Sequence, residues 1–123
     1  MGASDQGDIH RPLERGLALF NARFYFDAHE IWEDWWRDTS LPEKQIVQGL
    51  IQAAVAMHHY STGNRAGALS VMERALRNFG NGKVFCGLDL ERLRADMKCA
   101  IEQLRGGDVV EEFSIACVQS GGR

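Results

Sequence analysis

The run His29-Glu30-Ile31-Trp32-Glu33-Asp34-Trp35-Trp36 sets an imidazole four residues before a carboxylate and surrounds them with all three tryptophans of the chain. On a helix this spacing puts His29, Glu33 and Trp36 on one stripe, with Trp32 beside it. An imidazole next to a carboxylate is a pair from which ligand sites, half of a metal site or a proton shuttle are built. A carboxylate drawn out of water is costly unless it is paired, so Glu33 is expected to meet a donor, with His29 the nearest. The pair is expected indoors, walled by indole. The competing expectation is a closed polar network that fixes this helix against its neighbour, with the tryptophan ring nitrogens taking part.

A second segment offers the opposite wall. Gln48 and Gln52 lie one turn apart in a stretch otherwise made of Ile, Leu, Val and Ala, and amides there both donate and accept. Their alternative use is hydrogen bonding between helices. His58 and His59 follow, about 100° apart on a helix, so only one is expected to face a given pocket. The wheel groups His59 with Gln48 and Gln52, and His58 with Val47, Ile51 and Ala54.

Known catalytic patterns fit poorly. His29-Glu30 opens like a zincin, but the second histidine such a site requires is replaced by Glu33. A dispersed set of His29, Glu33 and either His58 or His59 would suit zinc, iron or manganese, although nothing in the spacing demands it. No nucleophile elbow, P-loop or dinucleotide fingerprint is present, so covalent and nucleotide-dependent chemistry lack support. No catalytic residue, metal ligand or cofactor is assigned from these patterns.

The elements that must position these side chains are helical. Residues 1–9 are small and polar and are expected to form a disordered tail. Pro12 suits a first turn, and Leu13, Leu17, Leu19 and Phe20 recur at helical spacing to about Ala22. After an aromatic link (Phe24-Tyr25-Phe26), Asp27 is expected to cap a second helix, with Glu30 returning the bond as a capping box, to about Asp38. Ser40, Pro42 and Glu43 repeat the start signal for a third helix. It runs to about Ser61, is apolar around most of its circumference, and is expected at the centre. Gly63-Asn64 separates it from a fourth helix lined by Ala68, Leu69, Met72, Ala75, Leu76 and Phe79, which Gly80 and Gly82 end. Val84-Phe85-Cys86-Gly87 is a link packed on the core. Asp89 then caps a fifth helix carrying Leu90, Leu93, Met97, Ile101 and Leu104 to Gly106-Gly107. Residues 108–123 are a tail to which no conformation is assigned, with a β-favouring patch from Phe113 to Val118 but no evident partner strand. Two helix pairs in tandem superficially resemble a tetratricopeptide array, without any sequence period. The expectation is an all-α, single-domain bundle of about five helices over residues 10–107.

Composition narrows the partners. At 123 residues, 45% hydrophobic and 25% charged, the chain is sized for one core. Its net charge of −3, from 17 acids and 14 bases spread along the sequence, provides no basic face for nucleic acid. The apolar stretch from Gly49 to Met57 is too short to cross a bilayer and the N-terminus has no hydrophobic signal segment, so a cytoplasmic protein is expected, without a membrane partner. Cys86, Cys99 and Cys117 are odd in number and lack a C-x-x-C, which suits free thiols. A small-molecule ligand and a second copy of the chain remain as partners.

The segment Phe26-Asp27-Ala28-His29-Glu30-Ile31-Trp32-Glu33-Asp34-Trp35-Trp36, followed by Gln48-Gly49-Leu50-Ile51-Gln52-Ala53 and Ala56-Met57-His58, resembles the bacterial and archaeal family called domain of unknown function 309. Gly63-Asn64 with Gly67-Ala68, and Gly87-Leu88-Asp89-Leu90, extend the resemblance over roughly Leu13 to Leu104. It implies a small all-helical protein whose motif positions are His29, Glu30, Glu33, Trp36, Gln48, Gln52 and His58. It therefore points to His58 where the helical wheel prefers His59, and it supplies a fold and a site but no reaction. Three functions stay open: a ligand or acid–base pocket between helices two and three built on His29 and Glu33, a non-catalytic interaction module with Trp35 as its marker, and a metal-dependent hydrolase.

Overall fold

In the computed structural model, which describes residues 3–38 and 44–118 with side chains from Arg11 onward, five helices follow one another. They are α1 (Ala3–Asn21), α2 (Tyr25–Arg37), α3 (Lys44–Ser61), α4 (Arg65–Phe79) and α5 (Leu90–Gly106). Each packs on the next in chain order, so α3 lies between α2 and α4. The all-α expectation holds, and α3 is the central element. Val47, Leu50, Ala53, Ala54, Ala56 and Met57 of this helix are all buried. Small residues let α4 approach closely: a Cβ at Gly49 would press on the Phe79 ring at 3.1 Å and the Ala75 carbonyl at 3.2 Å.

The helix boundaries follow local chemistry, though not always the expected one. Asn64 caps α4 by accepting from Gly67 N at 2.9 Å, and Asp89 caps α5 by accepting from Arg92 N at 3.0 Å. Asp27 does not cap α2. That helix starts at Tyr25 after Phe24, which makes no side-chain cap, so Asp27 lies in the first turn and the box with Glu30 is not formed. The cause is the preceding turn, where Phe24 N donates to Leu19 O at 2.8 Å and Arg23 N to Phe20 O at 2.9 Å. This closes α1 in a Schellman motif and launches α2 at once. The same paired bonds end α3 at Gly63 and α5 at Gly107. Arg23 takes the left-handed role at φ 74 that glycine fills at the other two ends, at a cost of about 1 kcal/mol. The Ser40, Pro42 and Glu43 start signal lies outside the described residues. α1 begins at Ala3, well before Pro12, so residues 3–9, expected as a tail, belong to the first helix.

The link before α5 is a short hairpin rather than a plain connection. β1 (Val84–Phe85) pairs antiparallel with β2 (Leu88–Asp89) through Cys86 and Gly87, whose φ values of 49 and 85 suit a two-residue primed turn. The C-terminal segment also finds the partner that was not expected. Leu88 bridges Cys117, Asp89 N donates to Ala116 O at 2.9 Å and Val118 N to Gly87 O at 2.8 Å. Upstream, Asn21 donates to Ile115 O at 3.1 Å and accepts from Ile115 N at 2.9 Å, while Tyr60 OH accepts from Val110 N at 2.9 Å. Val110, Phe113 and Ile115 are buried as a result.

Phe20 is the hub of this corner, 5.1 Å from Tyr25, 6.2 Å from Trp32 and 5.8 Å from Phe113 between ring centroids. Trp32 is wholly buried, and its indole lies where a Cβ at Gly16 would be. Gly16→Ala is therefore expected to destabilise the protein by about 1–3 kcal/mol, read as a lower urea midpoint, because the indole has no room to retreat. An unchanged midpoint would show that α1 and α2 are not in such close contact. Tyr25 gives a second prediction. Burial, then the Glu112 carboxylate 3.5 Å from its hydroxyl, push its phenol from 10.0 up to about 12. The folded state holds this proton more tightly than the unfolded chain, so the contribution is complete below about pH 10 and lost as pH rises towards about 12. Urea midpoints of the natural protein should fall more steeply across that window than those of Tyr25→Phe.

Candidate functional site

Two contacts fix how α2 and α3 face each other. At one end the Phe26 ring lies 5.3 Å from that of His58, and at the other the Lys44 ammonium sits 4.1 Å over the Trp36 ring. The start of one helix thus meets the end of the other, and the pair is antiparallel. Between them, at the Phe26 end, is a cavity of about 240 Å³ lined by Phe26, His29, Val55, His58 and His59.

His29 is fastened within α2. Its Nδ1 lies 3.0 Å from the Phe26 carbonyl, which only accepts, so Nδ1 carries a proton. Its Nε2 lies 3.5 Å from Glu33 Oε1, and the same oxygen is 3.7 Å from Arg37 Nη2. The expected pairing of His29 with Glu33 is present, but the buried, indole-walled setting is not. The Glu33 side chain is 46% exposed against 19% for His29. The reason is helical phase: Tyr25, Ala28 and Trp32 form the buried face of α2, and Glu33, one residue after Trp32, lies about 100° round from it. Trp32 turns towards Gly16 and Phe20 rather than roofing the pair, and its ring N–H has no hydrogen-bond partner instead of joining a network. Trp36 is half-buried under Lys44, away from the cavity. The aromatic ring beside His29 is Phe26, at 5.1 Å.

The two glutamines part company. Gln52 accepts from Asn78 Nδ2 at 2.6 Å, and Gln45 donates to Asn78 Oδ1 at 3.2 Å, so Gln52 ties α3 to α4 instead of walling a pocket with α2. Gln48 keeps the phase of Lys44 and Val55 and stays half-buried on the side of α3 that meets α2, without lining the cavity. The histidines defeat the either-or expectation, because His58 and His59 line the same cavity, with ring centroids 6.4 Å apart. His59 Nδ1 lies 3.4 Å from Asn64 Nδ2. Among the described residues the ring nitrogens of His58 have no hydrogen-bond partner, only the Phe26 and His59 rings. Phe26 and Val55 are the lining residues that the motif reading passed over. Phe26, read as link, precedes His29 by three and Val55 precedes His58 by three, so extending each stripe by one turn would have reached them.

The other functional readings lose support. No group of three or more His, Cys, Asp or Glu among the described residues could hold a metal ion, so the dispersed ligand set does not assemble. Trp35, the marker of the interaction reading, stacks on Phe85 at 6.5 Å and is half-buried. No helix among the described residues is long and apolar enough to cross a membrane.

Residues 13–71 match the family described as domain of unknown function DUF309. The matched region ends inside α4, so the resemblance read in Gly87-Leu88-Asp89-Leu90 lies outside it. The chain is 37% identical over 93 residues to the uncharacterized protein YpuF of Bacillus subtilis, a match covering 72% of this chain and 53% of that protein. It is 31% identical over 97 residues to an uncharacterized protein of Aquifex aeolicus, covering 77% of this chain and 28% of the other. The chain thus spans about half the length of the first relative and less than a third of the second. No solved structure matches it significantly.

Half-exposure sets the expected cost of losing the carboxylate. Glu33→Gln should change stability by less than about 1 kcal/mol in urea denaturation, the range of an exposed ion pair. A loss of several kcal/mol would restore the buried-pair reading.

Proposed function

We propose that the protein binds a small molecule in the cavity between α2 and α3. The observation that carries this reading is the convergence of three imidazoles, a phenyl ring and a valine on one concave space, with the His58 ring nitrogens free of hydrogen-bond partners among the described residues. Pockets of this make-up, mostly apolar with a few convergent polar groups, are the usual form of a ligand site. At about 240 Å³ the cavity is smaller than the range of roughly 300–1,000 Å³ typical of drug-sized ligands, which favours a compact metabolite.

The residues divide the work. Phe26 and Val55 supply apolar contact, and His58 offers hydrogen bonds to the occupant. His29 has Nδ1 occupied by its own helix and Nε2 turned to Glu33, so it shapes the wall more than it exchanges protons. Glu33 acts through His29 as a positioning residue. Gln52 follows the structural reading, as a strut between α3 and α4.

Filling the space tests the proposal. Small fragments screened by nuclear magnetic resonance should shift signals of Phe26, His58 and His59 in the natural protein. They should not do so in Val55→Trp, provided its circular dichroism is unchanged. Fragments that leave those signals unmoved, or that shift them equally in the filled variant, would sink it.

A further inference from the structure

We propose that the group recognised in this cavity is a carboxylate on a small apolar body, an inference that rests on the small-molecule reading above. Two side-chain orientations set the polarity of the site. Asn64 accepts the α4 cap bond from Gly67 N at 2.9 Å through Oδ1, which fixes its amide and leaves Nδ2 as the atom 3.4 Å from His59 Nδ1. An amide nitrogen only donates, so His59 Nδ1 accepts and the neutral ring carries its proton on Nε2. His59 is thereby preset as a donor, and His58 has both ring nitrogens available. On protonation His58 donates from both.

The charges around the cavity agree. Among the described residues no Asp, Glu, Lys or Arg lines it. From α2 it meets His29, backed by Glu33 and then Arg37; from α3, His58 and His59; from the α3–α4 turn, the uncharged Asn64. Asp27 and Glu30 of α2 are exposed and outside the lining. A cationic ligand would want a carboxylate or an aromatic cage, and a single phenyl ring provides neither. A ligand that accepts hydrogen bonds and carries negative charge matches a wall of imidazoles, whose ring N–H groups donate and whose residue type is the one that takes up charge near neutral pH. Phe26 and Val55 receive its apolar part.

Benzoate, benzamide and benzylamine are probes of similar size but different charge. Binding is followed by the imidazole and Phe26 resonances at about pH 5.5 and about pH 8, on either side of the ordinary histidine range. Benzoate should bind more tightly at the lower pH, by about tenfold, as imidazole charge is gained. Benzamide should show no such dependence and benzylamine should be excluded. His58→Gln should flatten the benzoate dependence, and His59→Gln serves the same end should the first variant not fold. Benzamide or benzylamine binding as well as benzoate, or benzoate binding equally at both pH values, overturns the carboxylate inference and leaves the cavity reading in place. If none of the three moves these resonances at either pH, the cavity reading falls as well.

Discussion

The close approach of α1 to α2 at Gly16 sets the orientation on which the rest of this structure depends. Because position 16 has no side chain, the Trp32 indole lies flat against α1 and joins Phe20, Tyr25 and Phe113 in one aromatic cluster. A wholly buried tryptophan fixes the rotation of its helix about its own axis. With Tyr25, Ala28 and Trp32 turned inward, successive residues fall at 100° steps, so His29 and Trp36 come to the border of the core and Glu33 beyond it. The cleft beside α3 is the outcome: edged by imidazole and phenyl, with the Glu33 carboxylate behind His29 and outside the lining.

Much of the scaffold was legible because its signals are local. The Asp89 cap, the helix breaks at Gly63-Asn64 and Gly106-Gly107 and the apolar spacing in α4 and α5 each act within a turn or two of chain. The centrality of α3 was legible too, since a helix apolar on nearly every side has to be covered on nearly every side. What escaped depended on distant chain. The start of α2 is set by the Schellman bonds that close α1, and an arginine at φ 74 hides the turn that a glycine would have announced. That arginine is held by Glu112 at 2.9 Å and by the Phe113 carbonyl at 3.2 Å, partners far along the sequence.

The candidate site divides in the same way. The meeting of His29 with Glu33 follows from a spacing of four, and the sharing of one cavity by His29 and His58 from the antiparallel pairing of two sequential helices. The burial of the pair did not follow, because the His29, Glu33 and Trp36 stripe competes with the Tyr25, Ala28 and Trp32 stripe for the core, and the larger apolar surface wins. Gln48 and Gln52 lie 40° apart on the wheel, yet one stays on the α2 side while the other is drawn to Asn78 on α4. A wheel ranks directions within one helix but not the pull of a neighbour. His58 and His59 show the converse: adjacent residues that diverge by 100° line one hollow together.

The reciprocal bonds between Asn21 and the Ile115 backbone join positions 94 residues apart. A ribosome delivers the first of these long before the second, so α1 and α2 emerge with one side of their aromatic cluster uncovered until Phe113 and Ile115 arrive. Local helices form early, and a contact of such long range is slow to close. The segment around Ile115 is therefore the clasp for a corner made 94 residues earlier, and that corner reaches its finished state only after the clasp has been released from the exit tunnel.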